Sequence, residues 1–163
     1  MSVVLGIDPG KDGAGVVLDG DRVAYVWRTT DTTIPSGKGS KRLYCPHRML
    51  AVLQGAREHG ALVAVLERAQ PRPGEGTVSA YTSGEGRGLW LGLLTSLGFE
   101  LVQPHPATWT KVMLRDVPGE GKARAVLVAE GCPGLELRRG RERLAHEGIA
   151  DAYCLARYGQ RAR

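Results

Sequence analysis

Two short apolar runs each end on an acid. Val3-Val4-Leu5-Gly6-Ile7 closes on Asp8, and Leu62-Val63-Ala64-Val65-Leu66 closes on Glu67. Each run suits one buried strand, yet each finishes on a residue that resists burial. Pro9 and Gly10 stop the first run and leave its carboxylate at the strand mouth. If the two strands are neighbours in a parallel sheet, spaced ~4.8 Å apart, both acids face one crevice at the strands' carboxyl ends. Two acids held so close repel and raise a pKa unless a cation joins them, and Mg²⁺ or Mn²⁺ prefers carboxylate and water oxygens.

More acid lies near the C-terminus, in His146-Glu147-Gly148-Ile149-Ala150-Asp151-Ala152-Tyr153. Glu147 and Asp151 are four residues apart, so a helix would present both on one face. Acids early in a helix also suit its dipole, and that pair alone would be unremarked. Joined to Asp8 and Glu67, it makes four carboxylates. Such a set can hold two cations ~4 Å apart, stabilising the attacking and leaving oxygens of phosphodiester hydrolysis. His146 has three readings: it orients water, acts from outside the ligand set, or caps local structure. His47, His59 and His105 have no partner spacing and are expected to be structural or exposed.

The elements that must position these acids can be read from turn and periodicity signals. Val3 to Asp8, Gly15 to Leu18 and Val23 to Trp27 are strand-like, and Asp19-Gly20-Asp21 is a hairpin signal. They predict an antiparallel meander of three strands. Thr29 to Lys41, rich in Gly, Ser and Thr, is expected to be a flexible connection. Pro46 suits the first turn of a helix reaching His59, with Gly60 as its stop. Leu62 to Glu67 can then return parallel to the meander through that helical crossover. Arg68 to Gly88 is expected to be a long loop, turning helical near Val78. Leu89 to Leu97 reads as a helix, Phe99 to Val102 as a strand, and Pro106 to Leu114, Gly119 to Gly131 and Gly148 to Tyr158 as helices. Neither a repeat nor a dividing linker interrupts residues 1–163, so one α/β domain is expected.

Bulk properties narrow the classes. The 163 residues are 42% hydrophobic and 24% charged, ordinary for a globular domain able to bury a core. No stretch is long and apolar enough for a membrane span, and the first residues lack a basic-then-apolar pattern, so a cytoplasmic location is expected and no membrane partner. Three cysteines (Cys45, Cys132, Cys154) without paired spacing suggest buried thiols rather than disulfides or zinc ligands. The net charge of +5 and pI near 9.4 permit a nucleic-acid partner without requiring one. Basic residues cluster at Lys38 to Arg42, which includes Lys41, and at Arg138 to Arg143.

Gly6-Ile7-Asp8-Pro9-Gly10, Glu67 after its strand, and Gly148-Ile149-Ala150-Asp151-Ala152 together resemble the RuvC family of Holliday junction resolvases. The middle of the chain is similar to the phage-type branch of that family. Val102-Gln103-Pro104-His105-Pro106-Ala107-Thr108-Trp109-Thr110-Lys111 resembles its V-x-P-x-x-W-K segment. Gly121-Lys122-Ala123-Arg124-Ala125 resembles the Lys-led helix that follows, and Cys132-Pro133-Gly134-Leu135 the segment before the last acidic helix. Gly-Ile-Asp-x-Gly alone is also shared by sugar kinases and actin-like ATPases; the ordered set spans essentially the whole chain.

The resemblance implies an RNase H-like fold with a mixed five-stranded sheet, three antiparallel strands then parallel ones, flanked by helices. It implies a homodimer making paired incisions in four-way DNA junctions with Mg²⁺ or Mn²⁺, two ions per site, in the bacterial cytoplasm as a bacterial or phage protein. Asp8, Glu67 and Asp151 match metal-binding acids of the family, and Glu147 the fourth, with His146 as a substitute. Bacterial members place Asp or His three residues before the last acid, where this chain has Gly148. Lys122 matches a basic residue near the scissile phosphate. Arg68, Arg72 and Arg87 would contact phosphates, Tyr81 would stack on a base, and Lys38, Lys41 and Arg42 would add basic contacts. The family's aromatic wedge is replaced by Gln70 and Pro71. Two competing readings are a phosphotransferase or ATPase of the sugar-kinase and actin type, and a catalytically silent junction-binding protein.

Overall fold

The computed structural model describes residues 2–37, 39, 41–68 and 74–162. Its centre is a five-stranded sheet built from β1 (Val4–Asp8), β2 (Ala14–Asp19), β3 (Arg22–Arg28), β6 (Val63–Leu66) and β7 (Glu100–Val102), in the order β3-β2-β1-β6-β7. β1, β2 and β3 form the expected antiparallel meander, while β6 runs parallel to β1 and β7 parallel to β6. A small separate hairpin pairs β4 (Thr33–Pro35) with β5 (Arg42–Tyr44).

Five helices cover the sheet: α1 (Pro46–Glu58), α2 (Thr77–Ser96), α3 (Pro106–Leu114), α4 (Ala123–Glu130) and α5 (Glu147–Arg161). Strand alternation divides the core between the two faces. Leu5, Ile7, Val17, Ala64 and Leu66 pack with Met49, Leu53, Trp90 and Leu94 of α1 and α2. Val4, Val16, Leu18, Val63 and Val65 pack with residues of α3, α4 and α5. The same alternation carries Gly6 and Asp8, and Val65 and Glu67, onto the α5 side.

α5 seats on this sheet through missing side chains. A Cβ on Gly6 would lie 2.1 Å from the Ala152 carbonyl oxygen, and one on Gly159 2.5 Å from Val65 Cγ2. Close approach therefore brings Asp151, on the first turns of α5, down to the strand ends.

One expectation needs correction, and two gain sharper bounds. Thr29 to Lys41 is not an unstructured connection: a 3₁₀ turn at Thr29–Asp31 and strand β4 occupy it. Thr29, Thr32 and Thr33 are buried, and the Thr32 and Thr33 hydroxyls both donate to the Thr29 carbonyl. The turn to helix expected near Val78 is found at Thr77, where α2 starts; it runs unbroken through Gly84, Gly86 and Gly88 into the stretch expected as a separate helix from Leu89. Glycine disfavours helix, but Gly86 is where the Tyr44 ring lies against α2, and a Cβ there would meet that ring at 2.3 Å. The helix expected within Gly119 to Gly131 is α4, starting at Ala123, and Gly119 (φ 97°) and Gly121 (φ 53°) hold a turn before it. Cys132 and Cys154 are buried and Cys45 half-buried, all as free thiols. Among the described residues no helix is long and apolar enough to cross a membrane.

Candidate active site

The last paired residues of β1 and β6 are Ile7 and Leu66. One residue further, Asp8 and Glu67 stand side by side at the carboxyl ends of central strands. The turn after β1 is organised by Asp8 itself, whose Oδ1 accepts from the Gly10 amide at 3.1 Å. Glu67 is half-buried, and its Oε2 accepts from the indole Nε1 of Trp109 at 2.6 Å. Past Glu67, the Arg68 amide donates to the Pro104 carbonyl at 3.0 Å, tying this strand end to the segment after β7.

α5 supplies the other two acids. Glu147 lies in its first turn with its side chain 55% exposed, whereas the Asp151 side chain is 17% exposed and faces the strand ends. Burial pushes the Asp151 carboxyl up to about 7; the Asp8 charge adds to this, Lys122 opposes it, and Glu67 and Glu147 raise it further. Asp151 thus senses three other carboxylates, those of Asp8, Glu67 and Glu147. Lys122 Nζ lies 3.2 Å from Glu147 Oε2 and 4.0 Å from Asp151 Oδ2. Burial works to lower the Lys122 pKa, but the Glu147 hydrogen bond and the charges of Asp151, Asp8 and Glu147 hold it above its ordinary value.

The donor set is chemically suited to a hard divalent cation: oxygen ligands, one of them an acid whose burial and acidic neighbours disfavour its charge. Among the described residues no three acid or imidazole side chains yet converge tightly enough to hold an ion. Glu67 bonds to Trp109 and Glu147 to Lys122, so both of these acids already have a partner.

Other sequence-predicted residues divide. His146 is the N-cap of α5, its Nδ1 accepting from the Ile149 amide at 3.1 Å. Burial and the nearby Arg28 lower its pKa, and the charges it senses are Arg28, Glu142, Asp12 and Arg139 rather than the four acids. Gly148 is occupied with packing: a Cβ there would lie 2.2 Å from the Asp12 carbonyl oxygen. Arg42 is spent on its own hairpin, with Nε donating to Thr33 Oγ1 at 2.6 Å and Nη2 to the Thr30 and Thr33 carbonyls. Arg87 sits on α2 and donates to Gln103 Oε1 at 2.5 Å. Tyr81 is also on α2, 72% exposed. Arg68 and Lys41 are exposed, while Arg72 and Lys38, with Gln70 and Pro71, lie outside the described residues.

Two side-chain pairings went unassigned on sequence, one of them at the site. Trp109, within the Val102–Lys111 segment, is 3% exposed, and its single polar atom reaches Glu67. A tryptophan shortly after a strand end is a weak signal, and nothing local pairs it with Glu67. Arg28 is buried and bonds Glu142 through both terminal nitrogens, at 2.7 and 2.9 Å, across 114 residues of sequence. No sequence pattern announces that pair.

The strand order, the antiparallel-to-parallel switch at β1, and helices on both faces define an RNase H-like fold, as expected. No protein-family model matches the chain, and no curated protein matches it in sequence. Among solved structures, RuvC of Thermus thermophilus in complex with a Holliday junction substrate has the same fold. Its TM-score is 0.64 at 18% identity, covering 99% of this chain and 96% of that one. A second Thermus thermophilus RuvC structure gives 0.57 at 20% identity over 98% and 96% of the two chains. The yeast mitochondrial Holliday junction resolvase gives 0.54 at 16% identity over 98% and 78%. The chain has the RuvC fold over essentially its whole length.

Proposed function

We propose that this protein is a RuvC-type Holliday junction resolvase of the phage-like branch, a divalent-metal-dependent endonuclease that makes paired nicks in four-way DNA junctions as a homodimer. The observation carrying this reading is the placement of Asp8 and Glu67 at adjacent parallel strand ends beside the half-buried Asp151 and the exposed Glu147 of α5, on a RuvC fold. Asp8, Glu67 and Asp151 would hold the ions, with Glu147 as the fourth ligand. For that place His146 is the weaker candidate, since its Nδ1 is committed to capping α5. When bound, two Mg²⁺ or Mn²⁺ ions would supply an activated water and neutralise the leaving 3′-oxygen.

The chain's own residues do the rest. Lys122, displaced from Glu147, can donate from Nζ to a phosphate oxygen beside the site, where charge develops. Glu67 keeps its orientation through Trp109. Arg68, Lys41 and the exposed Tyr81 present phosphate-binding and stacking groups, and such contacts make affinity salt-sensitive. Arg72 and Lys38 are proposed for the same surface on sequence grounds alone.

A gel assay comparing four-way, Y-shaped and linear duplex DNA with Mg²⁺ or Mn²⁺ tests this. Wild type is expected to cut the four-way junction selectively, and Asp8→Asn to bind it without cutting. Junction cleavage by Asp8→Asn at the wild-type rate would sink the proposal, and ATP hydrolysis without nuclease activity would favour the phosphotransferase class.

A further inference from the structure

The indole of Trp109 is 3% exposed in the core cluster that holds Val65 and the residues of α5, with one polar atom to satisfy. A buried N–H left without an acceptor is costly, and Trp109 Nε1 meets that need at Glu67 Oε2, 2.6 Å away. α3, starting at Pro106, and the Arg68-to-Pro104 backbone bond hold donor and acceptor in register. Lys122 and Trp109 hold their carboxylates in different ways. Lys122 grips Glu147 with a charge, so it competes with any incoming cation. An indole N–H carries no charge and does not titrate. It can orient Glu67 while leaving the carboxylate's full negative charge for a cation.

We infer that Trp109 is a positioning residue for Glu67, fixing the carboxylate through Oε2 in the orientation that a divalent ion meets. This rests on the reading of the acids as a metal centre. Hydrogen bonds to metal ligands typically matter by 10–100-fold in metal affinity, so Trp109→Phe, which keeps the ring and removes the donor, is expected to weaken Mn²⁺ binding roughly tenfold.

The full-length protein without DNA is titrated with Mn²⁺ by electron paramagnetic resonance, as wild type, Trp109→Phe, Glu67→Gln and the double variant. Roughly tenfold weaker binding in Trp109→Phe, with no additional loss when the change is made in the Glu67→Gln background, is the expected pattern. An equal loss in both backgrounds would reduce Trp109 to a packing residue and overturn the inference. In parallel, the indole ¹H–¹⁵N signal that disappears in Trp109→Phe is expected to shift when Mg²⁺ is added to wild type. Should the variant fail to fold, this wild-type signal decides: a resonance indifferent to bound Mg²⁺ overturns the inference. Mn²⁺ binding and Asp8-dependent cleavage that persist unchanged in Trp109→Phe would refute the positioning role alone. Absence of ion binding by wild type would overturn the role and the metal-centre reading together.

Discussion

Gly6 in β1 and Ala152 in α5 approach so closely that a Cβ on Gly6 would stand 2.1 Å from the Ala152 carbonyl oxygen and 2.4 Å from the Ala156 amide nitrogen. Both neighbours are backbone, so no side chain can swing aside. Asp8 lies two residues along β1 and Asp151 one residue before Ala152, so this contact sets their separation. Gly6→Ala must push α5 off the sheet, at a cost of about 3 kcal/mol. A lowered Tm by thermal denaturation and loss of Mn²⁺ binding are expected together. Wild-type values for both would show that α5 can shift freely.

The segment leading into α5 is fastened by a ring of charges. Arg28 grips Glu142 through two bonds, Glu142 Oε2 accepts from the Arg139 amide, Arg139 pairs with Asp31, and Asp31 Oδ2 accepts from the Arg28 amide. The Arg28 hydrogen bonds, with that from the Arg139 amide, hold the Glu142 carboxyl down at about 2. A folded-state pKa below the unfolded one gives stability that is complete above about pH 4.5. It fades as the pH falls towards 2. Glu142→Gln should therefore be less stable than wild type at pH 7, with the difference closing as acid is added. Urea unfolding of both proteins at pH 7, 5 and 3 measures the gap; a constant gap would mean that the charge of Glu142 contributes nothing to stability.

Asp151 has the opposite sign. Burial and then Asp8 raise its carboxyl to about 7, so the folded protein holds a proton that the unfolded chain releases near pH 4. Metal-free stability should accordingly fall as pH rises from about 4 to 7. Asp151→Asn removes the buried charge and should stabilise the metal-free protein at pH 8, on the order of 2 kcal/mol, while abolishing cleavage. Added Mg²⁺ should raise the Tm of wild type and leave that of the variant nearly unchanged. A variant less stable than wild type at pH 8 without metal would contradict the crowding of these acids.

What was legible in the sequence followed local periodicity. Asp8 and Glu67 could be placed because an apolar run ending on an acid is a local pattern, and Glu147 and Asp151 because helix spacing is. The span of α2 was hidden by its glycines: helix propensity argues against Gly84, Gly86 and Gly88, and only the Tyr44 ring against Gly86 gives one of them a purpose. The β4–β5 hairpin was hidden by its threonines, whose hydroxyls turn out to be satisfied within the Thr29–Thr33 turn. Trp109 to Glu67 and Arg28 to Glu142 are tertiary pairs, separated by 42 and 114 residues, and no local propensity encodes them.

Gly148 illustrates how packing can remove a ligand position. Bacterial members of the resembled family place an acid or a histidine three residues before the last acid, so Gly148→Asp would copy that ligand position onto this chain. A Cβ at Gly148, however, would sit 2.2 Å from the Asp12 carbonyl oxygen and 2.8 Å from Gly13 Cα, in the turn that follows Asp8. Gly13 cannot yield easily, because its own position is crowded: a Cβ there would lie 2.1 Å from the Asp8 carbonyl oxygen. A side chain at 148 would thus displace the Asp8 turn before its carboxylate reached any ion. Glu147, exposed and one residue earlier, escapes this clash and can reach the site once Lys122 releases it. Glu147→Gln is expected to lose at least about tenfold in Mn²⁺ affinity, and adding Gly148→Asp should lower the Tm further without recovering cleavage. Cleavage restored in the double variant would show that the Asp12–Gly13 turn yields and that position 148 is open to a ligand.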